Sequence, residues 1–173
     1  MPNIRPAPDE YAPYYGTYVS QVPDGDVVAT LAAQVDDSLA LLRPLSEEQA
    51  RFRYAPGKWS VTKIVTHLTD AERVFTYRAL WFARGAADSL PSFDENAWAP
   101  VAEADAVPLD ELLDELASLR EATVALFAHL PREAWQRRGI ASGKGVSVRA
   151  LAWITAGHER HHMKVLRERY LKS

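Results

Sequence analysis

Three of the chain's five histidines fall in one run, His158-Glu159-Arg160-His161-His162. His158 and His162 stand four apart, so on a helix they share a face with Cβ atoms about 5–6 Å from each other. Two imidazoles at that spacing can reach one divalent metal ion, and a third ligand must come from elsewhere. The chain has no cysteine, which excludes thiolate ligands, disulfides and a cysteine nucleophile and leaves His, Asp or Glu. His67 is the candidate third ligand, beside Ile64, Ala71 and Val74 at the edge of an apolar stripe. His161 is a rival within the run, since it also lies near the inner stripe of Ile154, His158 and Val165; the four-residue spacing favours His158 with His162. His129, near a helix C-terminus, reads as a surface residue complementing the helix dipole. Three neutral histidines from two facing helices would leave open positions on a metal, the arrangement of a catalytic site that activates bound water or substrate. Zinc is the first choice; nickel, iron or manganese suit the same donors.

Helices must position these residues. Residues 1–23 hold five of the eleven prolines and Tyr11, Tyr14, Tyr15 and Tyr18, and read as an extended arm lying on the body or on a partner subunit. A domain over 24–173 follows. Asp24 or Asp26 can cap a first helix carrying Val27, Leu31, Val35, Leu39 and Leu42 and stopping before Pro44. Ser46-Glu47-Glu48-Gln49 has the form of a capping box. Ser60 caps a second helix with the stripe Val61, Ile64, Leu68, Ala71, Phe75, Ala79 and Phe82, ended by Gly85. Residues 86–107 form a long connection between the second and third helices, a length often tied to function. Pro108 opens a third helix with Leu109, Leu112, Leu113, Leu116, Leu119, Val124 and Phe127. A glycine-rich loop over 139–145 precedes a fourth, capped by Ser147 and carrying Leu151, Ile154, His158, His162, Val165 and Leu166. No β-type alternation of useful length is evident. Four amphipathic helices imply an all-α four-helix bundle.

The 173 residues suit one domain with a proper core. A net charge of −3 and the lack of a basic block give no reason to expect nucleic acid as a partner. The N-terminus has no apolar signal-like segment and no stretch has the length of a membrane span, so a cytoplasmic protein of small-molecule chemistry is expected.

Several other residues have claims on the site. Asp70 and Glu72 follow His67 closely, and either can orient a ligand imidazole; Glu72 is also a catalytic candidate. Asp94, in the long connection, can overhang the metal as a base, or simply serve a turn. Arg73 and Arg78 can bind an anionic group or form surface ion pairs, and Trp59 and Trp98 can wall a pocket; of these Arg78 and Trp59 are the cofactor-binding candidates. Glu159 points about 100° away from His158 around the helix and can pair with an arginine across the bundle.

The segments Lys58-Trp59-Ser60-Val61, His67 through Arg78, Leu90-Pro91-Ser92-Phe93-Asp94-Glu95 and Ala156-Gly157-His158-Glu159-Arg160-His161-His162 resemble the DinB/YfiT-like superfamily, in order, over about residues 27–170. The resemblance implies an up-down-down-up four-helix bundle, frequent homodimers, and one divalent metal on a triad that falls on His67, His158 and His162. Members of that superfamily include S-transferases and isomerases that use low-molecular-weight thiols such as bacillithiol, and proteins proposed as metal-dependent hydrolases. The resemblance therefore implies a metal-dependent enzyme, with thiol-dependent S-transfer as the leading expectation; the alternatives are a metal-dependent hydrolase and a stress-response protein that holds metal without turnover.

Overall fold

A computed structural model describes residues 2–171 of the chain. Seven helices are present among them: α1 (Gly16–Val19), α2 (Val27–Leu42), α3 (Glu47–Arg51), α4 (Val61–Ala83), α5 (Glu95–Val101), α6 (Leu109–Ala128) and α7 (Val148–Val165). A hairpin of β1 (Arg138–Ala141) and β2 (Lys144–Ser147) precedes α7. The helix starts follow their caps. Asp26 accepts from the amides of Val28 and Ala29, Ser60 from Lys63 and Ser147 from Ala150, each satisfying donors that the first turn leaves open.

The direction of the four long helices follows from which ends share apolar contacts. One buried cluster joins Leu42, at the end of α2, to Val61, Ile64 and Leu68 at the start of α4, Leu109 to Leu116 at the start of α6, and Met163 at the end of α7. The other joins Val27 and Leu31 to Phe75, Ala79 and Phe82, to Phe127, and to Val148 through Ile154. Helix α2 thus runs one way, α4 and α6 the other, and α7 returns with α2, which is the up-down-down-up course. Since α4 and α6 are neighbours running in parallel, the chain must travel back along the bundle between them. Helix α4 alone spans about 35 Å at 1.5 Å per residue, which accounts for the long connection.

That connection is more structured than its sequence indicates. Helix α5 lies in it, capped by Asp94, whose Oδ1 accepts from the amides of Asn96 (2.9 Å) and Ala97 (3.1 Å). Pro100 falls within α5 and hides it from pattern reading. Leu90 pairs with the hairpin through Ile140 and Ser142, and Asp105 accepts hydrogen bonds from Ser60 (2.5 Å) and Thr62 (2.6 Å). The hairpin itself corrects the expectation of a bare loop. Its strands are too short for alternation to register, and the turn is set by Ser142 and Gly143, both with positive φ (54° and 71°), the type I′ geometry favoured between two strands.

The N-terminal segment is not extended. It folds into two 3-10 turns and α1 and lies against α7. Arg5 clasps it, donating to the carbonyls of Val19 (2.6 Å) and Val22 (2.7 Å) and lying 4.6 Å from the Trp153 ring centroid. Glu10 accepts from Ser147 (2.7 Å) and pairs with Arg149. Because this segment covers its outer side, α7 is buried nearly all round from Val148 to Glu159 rather than on one stripe. Gly157 permits the contact: a Cβ there would stand 2.1 Å from the Tyr18 carbonyl oxygen.

A buried ionic cluster ties the four long helices together. Arg120 of α6 donates to both oxygens of Glu72 on α4 (2.9 and 2.7 Å) and to the Leu31 carbonyl on α2 (3.0 Å), and it pairs with Glu159 on α7 at 2.8 Å. Glu159 also accepts from Gln34 and from Ser38 (2.6 Å). Every charged group in the cluster has a partner, the condition for retaining charge in a core.

Candidate metal centre

His67 comes from the second turn of α4, and His158 and His162 from successive turns of α7, where the two helices pack together. The Nε2 atoms of His67 and His162 lie 3.0 Å and 3.1 Å from that of His158. Three potential ligand nitrogens therefore converge on one point. Aromatic rings enclose them: Trp59 lies 5.0 Å from His67, and Tyr18 and Phe75 lie 5.2 and 5.7 Å from His158, centroid to centroid.

This enclosure sets the protonation state. Burial pushes His67 down to about 4, against a partial lift from the Glu95 charge. Burial, then the neighbouring imidazoles, push His162 down to about 3 and His158 well below the ordinary histidine value. All three are neutral at pH 7 and offer lone pairs.

The donor set fits a metal on two grounds. A neutral Nε2 carries either one proton or one lone pair, so His158 Nε2 cannot satisfy both nitrogens facing it. A shared cation would satisfy all three. Nitrogens bound to one ion at about 2.0–2.1 Å stand roughly 3 Å apart, the spacing found here. Three imidazoles without thiolate suit zinc, nickel and similar ions.

The other sequence candidates divide. Trp59 stays at the site as a wall against His67. His161 does not join the cluster; its Nδ1 lies 3.5 Å from Gln21 Nε2. His129 is exposed at the end of α6. Glu72 is withdrawn as a catalytic candidate, because both its oxygens are occupied by Arg120 inside the core. Asp94 is withdrawn because it caps α5. Arg78 holds structure rather than a cofactor: it is buried and donates to the Pro91 carbonyl (2.7 Å) and Ser142 Oγ (3.0 Å). Arg73 is tied at the surface to Glu115 and Asp70. Glu159 pairs across the bundle with Arg120, as its helical position indicated.

Two features escaped the sequence reading. Glu95, one residue past the α5 cap, lines a small cleft together with His67, Asp70, Phe93 and Trp98. Its charge acts on His67, Tyr15 and Tyr18, and it takes part in no ion pair among the described residues. Tyr14 and Tyr18 share a hydrogen bond of 2.7 Å beside His158. The Tyr-rich composition of the arm was visible, but nothing in it located the Tyr18 ring against His158.

A helical bundle with an inward-facing histidine triad defines the class. Residues 30–166 match the DinB superfamily, and the chain belongs to it. Two relatives named "Putative metal-dependent hydrolase" are similar: one from Geobacillus thermodenitrificans is 28% identical over 142 residues, covering 79% of this chain and 80% of the relative. Another, from Geobacillus kaustophilus, is 26% identical over 137 residues, covering 78% and 77%. YfiT from Bacillus subtilis, described as a probable metal-dependent hydrolase with an unusual four-helix bundle topology, has the same fold, with a TM-score of 0.67, 16% identity, and coverage of 96% of this chain and 93% of that one.

Proposed function

We propose that the chain is a metal-dependent enzyme in which His67, His158 and His162 hold one divalent ion, zinc or nickel, and that its reaction is hydrolysis of a small molecule. The observation carrying this reading is the convergence of three neutral imidazole nitrogens beside an uncommitted carboxylate. When bound, the ion supplies a Lewis acid that lowers the pKa of a coordinated water or thiol and polarises a substrate oxygen. The chain's own groups do the rest. Glu95 faces the cleft as the base that takes a proton from the attacking group. Trp59, Phe75 and Tyr18 keep the imidazoles dry and neutral. The Tyr14–Tyr18 hydroxyl pair, whose Tyr18 member is pushed up by burial, stays protonated and can donate to a developing anion.

A second reading is thiol-dependent S-transfer with a low-molecular-weight thiol such as bacillithiol. The lack of any cysteine is compatible with it: a thiol nucleophile would have to arrive as co-substrate.

The test is a panel of activated esters and amides, and of electrophiles with and without added thiols, run on metal-loaded protein, His158→Ala and Glu95→Gln. Metal-dependent turnover lost in His158→Ala, with Glu95→Gln retaining metal but slowed about a hundred- to ten-thousand-fold, supports the enzyme reading. Turnover only when thiol is present selects transfer over hydrolysis. Metal held in both wild type and Glu95→Gln with no turnover on any substrate would favour a non-catalytic metal-binding protein.

A further inference from the structure

Beside the cleft that holds His67 lies a groove of about 380 Å³, a size typical of small-molecule sites. Val74, Tyr77, Leu90, Pro91, Phe93 and Trp98 give it an apolar lining. Asp70, Phe93 and Trp98 belong to both spaces, so groove and histidine centre share a wall. Tyr77 and Trp98 remain 52% and 42% exposed, and large aromatic side chains left open beside a polar centre mark a binding surface rather than core. The charged groups at the groove are already engaged. Arg73 is paired with Glu115 at 2.6 Å and Asp70 at 3.7 Å. Arg78 is spent on Pro91 and Ser142 and lies 5.7 Å from the Phe93 ring centroid, supporting that wall. No cationic side chain lining the groove is therefore free to recognise a carboxylate or phosphate.

We infer that the substrate carries an uncharged, flat apolar group that occupies this groove while its reacting bond reaches the histidine centre. The inference rests on the metal reading above and adds the substrate class. The Phe93 and Trp98 rings pack at 5.1 Å with their planes tilted by 41°, aromatic surface against which a planar group can pack, and Val74 lines the groove from α4.

The test uses zinc-loaded protein and hydroxamates, which bind metals through their head group. Acetohydroxamate is compared by calorimetry with phenyl-bearing hydroxamates of increasing linker length. One member of the phenyl series should bind at least about ten-fold tighter than acetohydroxamate. Val74→Asp, which puts a charge in the groove, and Trp98→Ala, an exposed change that leaves the core intact, should each remove most of that advantage. Neither should change zinc content, and Val74→Asp, which lies in the groove and outside the His67 cleft, should leave acetohydroxamate affinity unchanged. Equal affinity across the whole series, with acetohydroxamate still bound, would overturn the groove assignment and leave the metal centre standing. An advantage that survives both substitutions would also overturn it. Failure of every hydroxamate to bind, together with failure to retain zinc, would remove the metal reading and the inference with it.

Discussion

His67 and His158 are separated by 91 positions in the chain, yet their Nε2 atoms lie 3.0 Å apart. That approach is a product of topology. The late turns of α7 pack beside the early-to-middle turns of α4 because the two helices run antiparallel, and His162 completes the set one turn further on.

The choice between adjacent histidines is testable. His162→Ala should weaken zinc binding at least about a hundred-fold, since it removes a ligand rather than a supporting contact. His161→Ala should leave it unchanged within a few-fold. Competition with a chromophoric chelator measures both.

Four helices in a bundle were legible from the apolar stripes, since Val61, Ile64, Leu68, Ala71, Phe75, Ala79 and Phe82 all proved buried. The caps at Ser60 and Ser147 were legible too, because capping depends on a few local atoms. Less visible was anything set by tertiary contact. Helix α5 and the hairpin are short and contain proline or glycine. The burial of α7 on its outer side depends on the N-terminal segment returning over it. Glu72 stands five positions from His67 and reads as a site carboxylate, but it turns to Arg120 inside the bundle. Glu95 stood out only as the last residue of the Leu90–Glu95 segment that carries the family resemblance, and its place in the cleft with His67 depends on where α5 lies over α4.

The buried cluster makes a strong stability prediction. Arg120→Ala leaves Glu72 and Glu159 together in the core without a cation and should cost about 3–5 kcal/mol. Urea denaturation should give a markedly lower midpoint. His67→Ala, at the half-buried metal centre, should change the metal-free midpoint far less.

The N-terminal segment should be pH-sensitive through Glu10. Burial raises this carboxyl, but hydrogen bonds from Arg149, the Ala7 amide and Ser147 outweigh it and hold the group below its ordinary value of 4.5. A carboxyl with a depressed native pKa binds protons less readily folded than unfolded. Its stabilisation is therefore present above about pH 4.5 and lost as pH falls through the lower native value. Thermal melts between pH 7 and pH 3 should show a shallower acid decline for Glu10→Gln than for wild type, the variant being less stable at pH 7.

Gly157 offers a separate probe of that segment. Gly157→Ala places a methyl against the Tyr18 backbone and should destabilise by about 1–3 kcal/mol. Amide hydrogen exchange should rise first in α1 and the turns before it. Unchanged protection there would show that the segment does not depend on this contact.

The most direct test of the central claim is the metal content of untagged protein, by plasma mass spectrometry, for the wild type, His67→Ala and His158→Ala, each also after exposure to zinc and nickel. A three-histidine site should hold about one divalent ion per chain in the wild type and none in either variant. An absence of metal from every sample after reconstitution, or an equal content in all three, would contradict it.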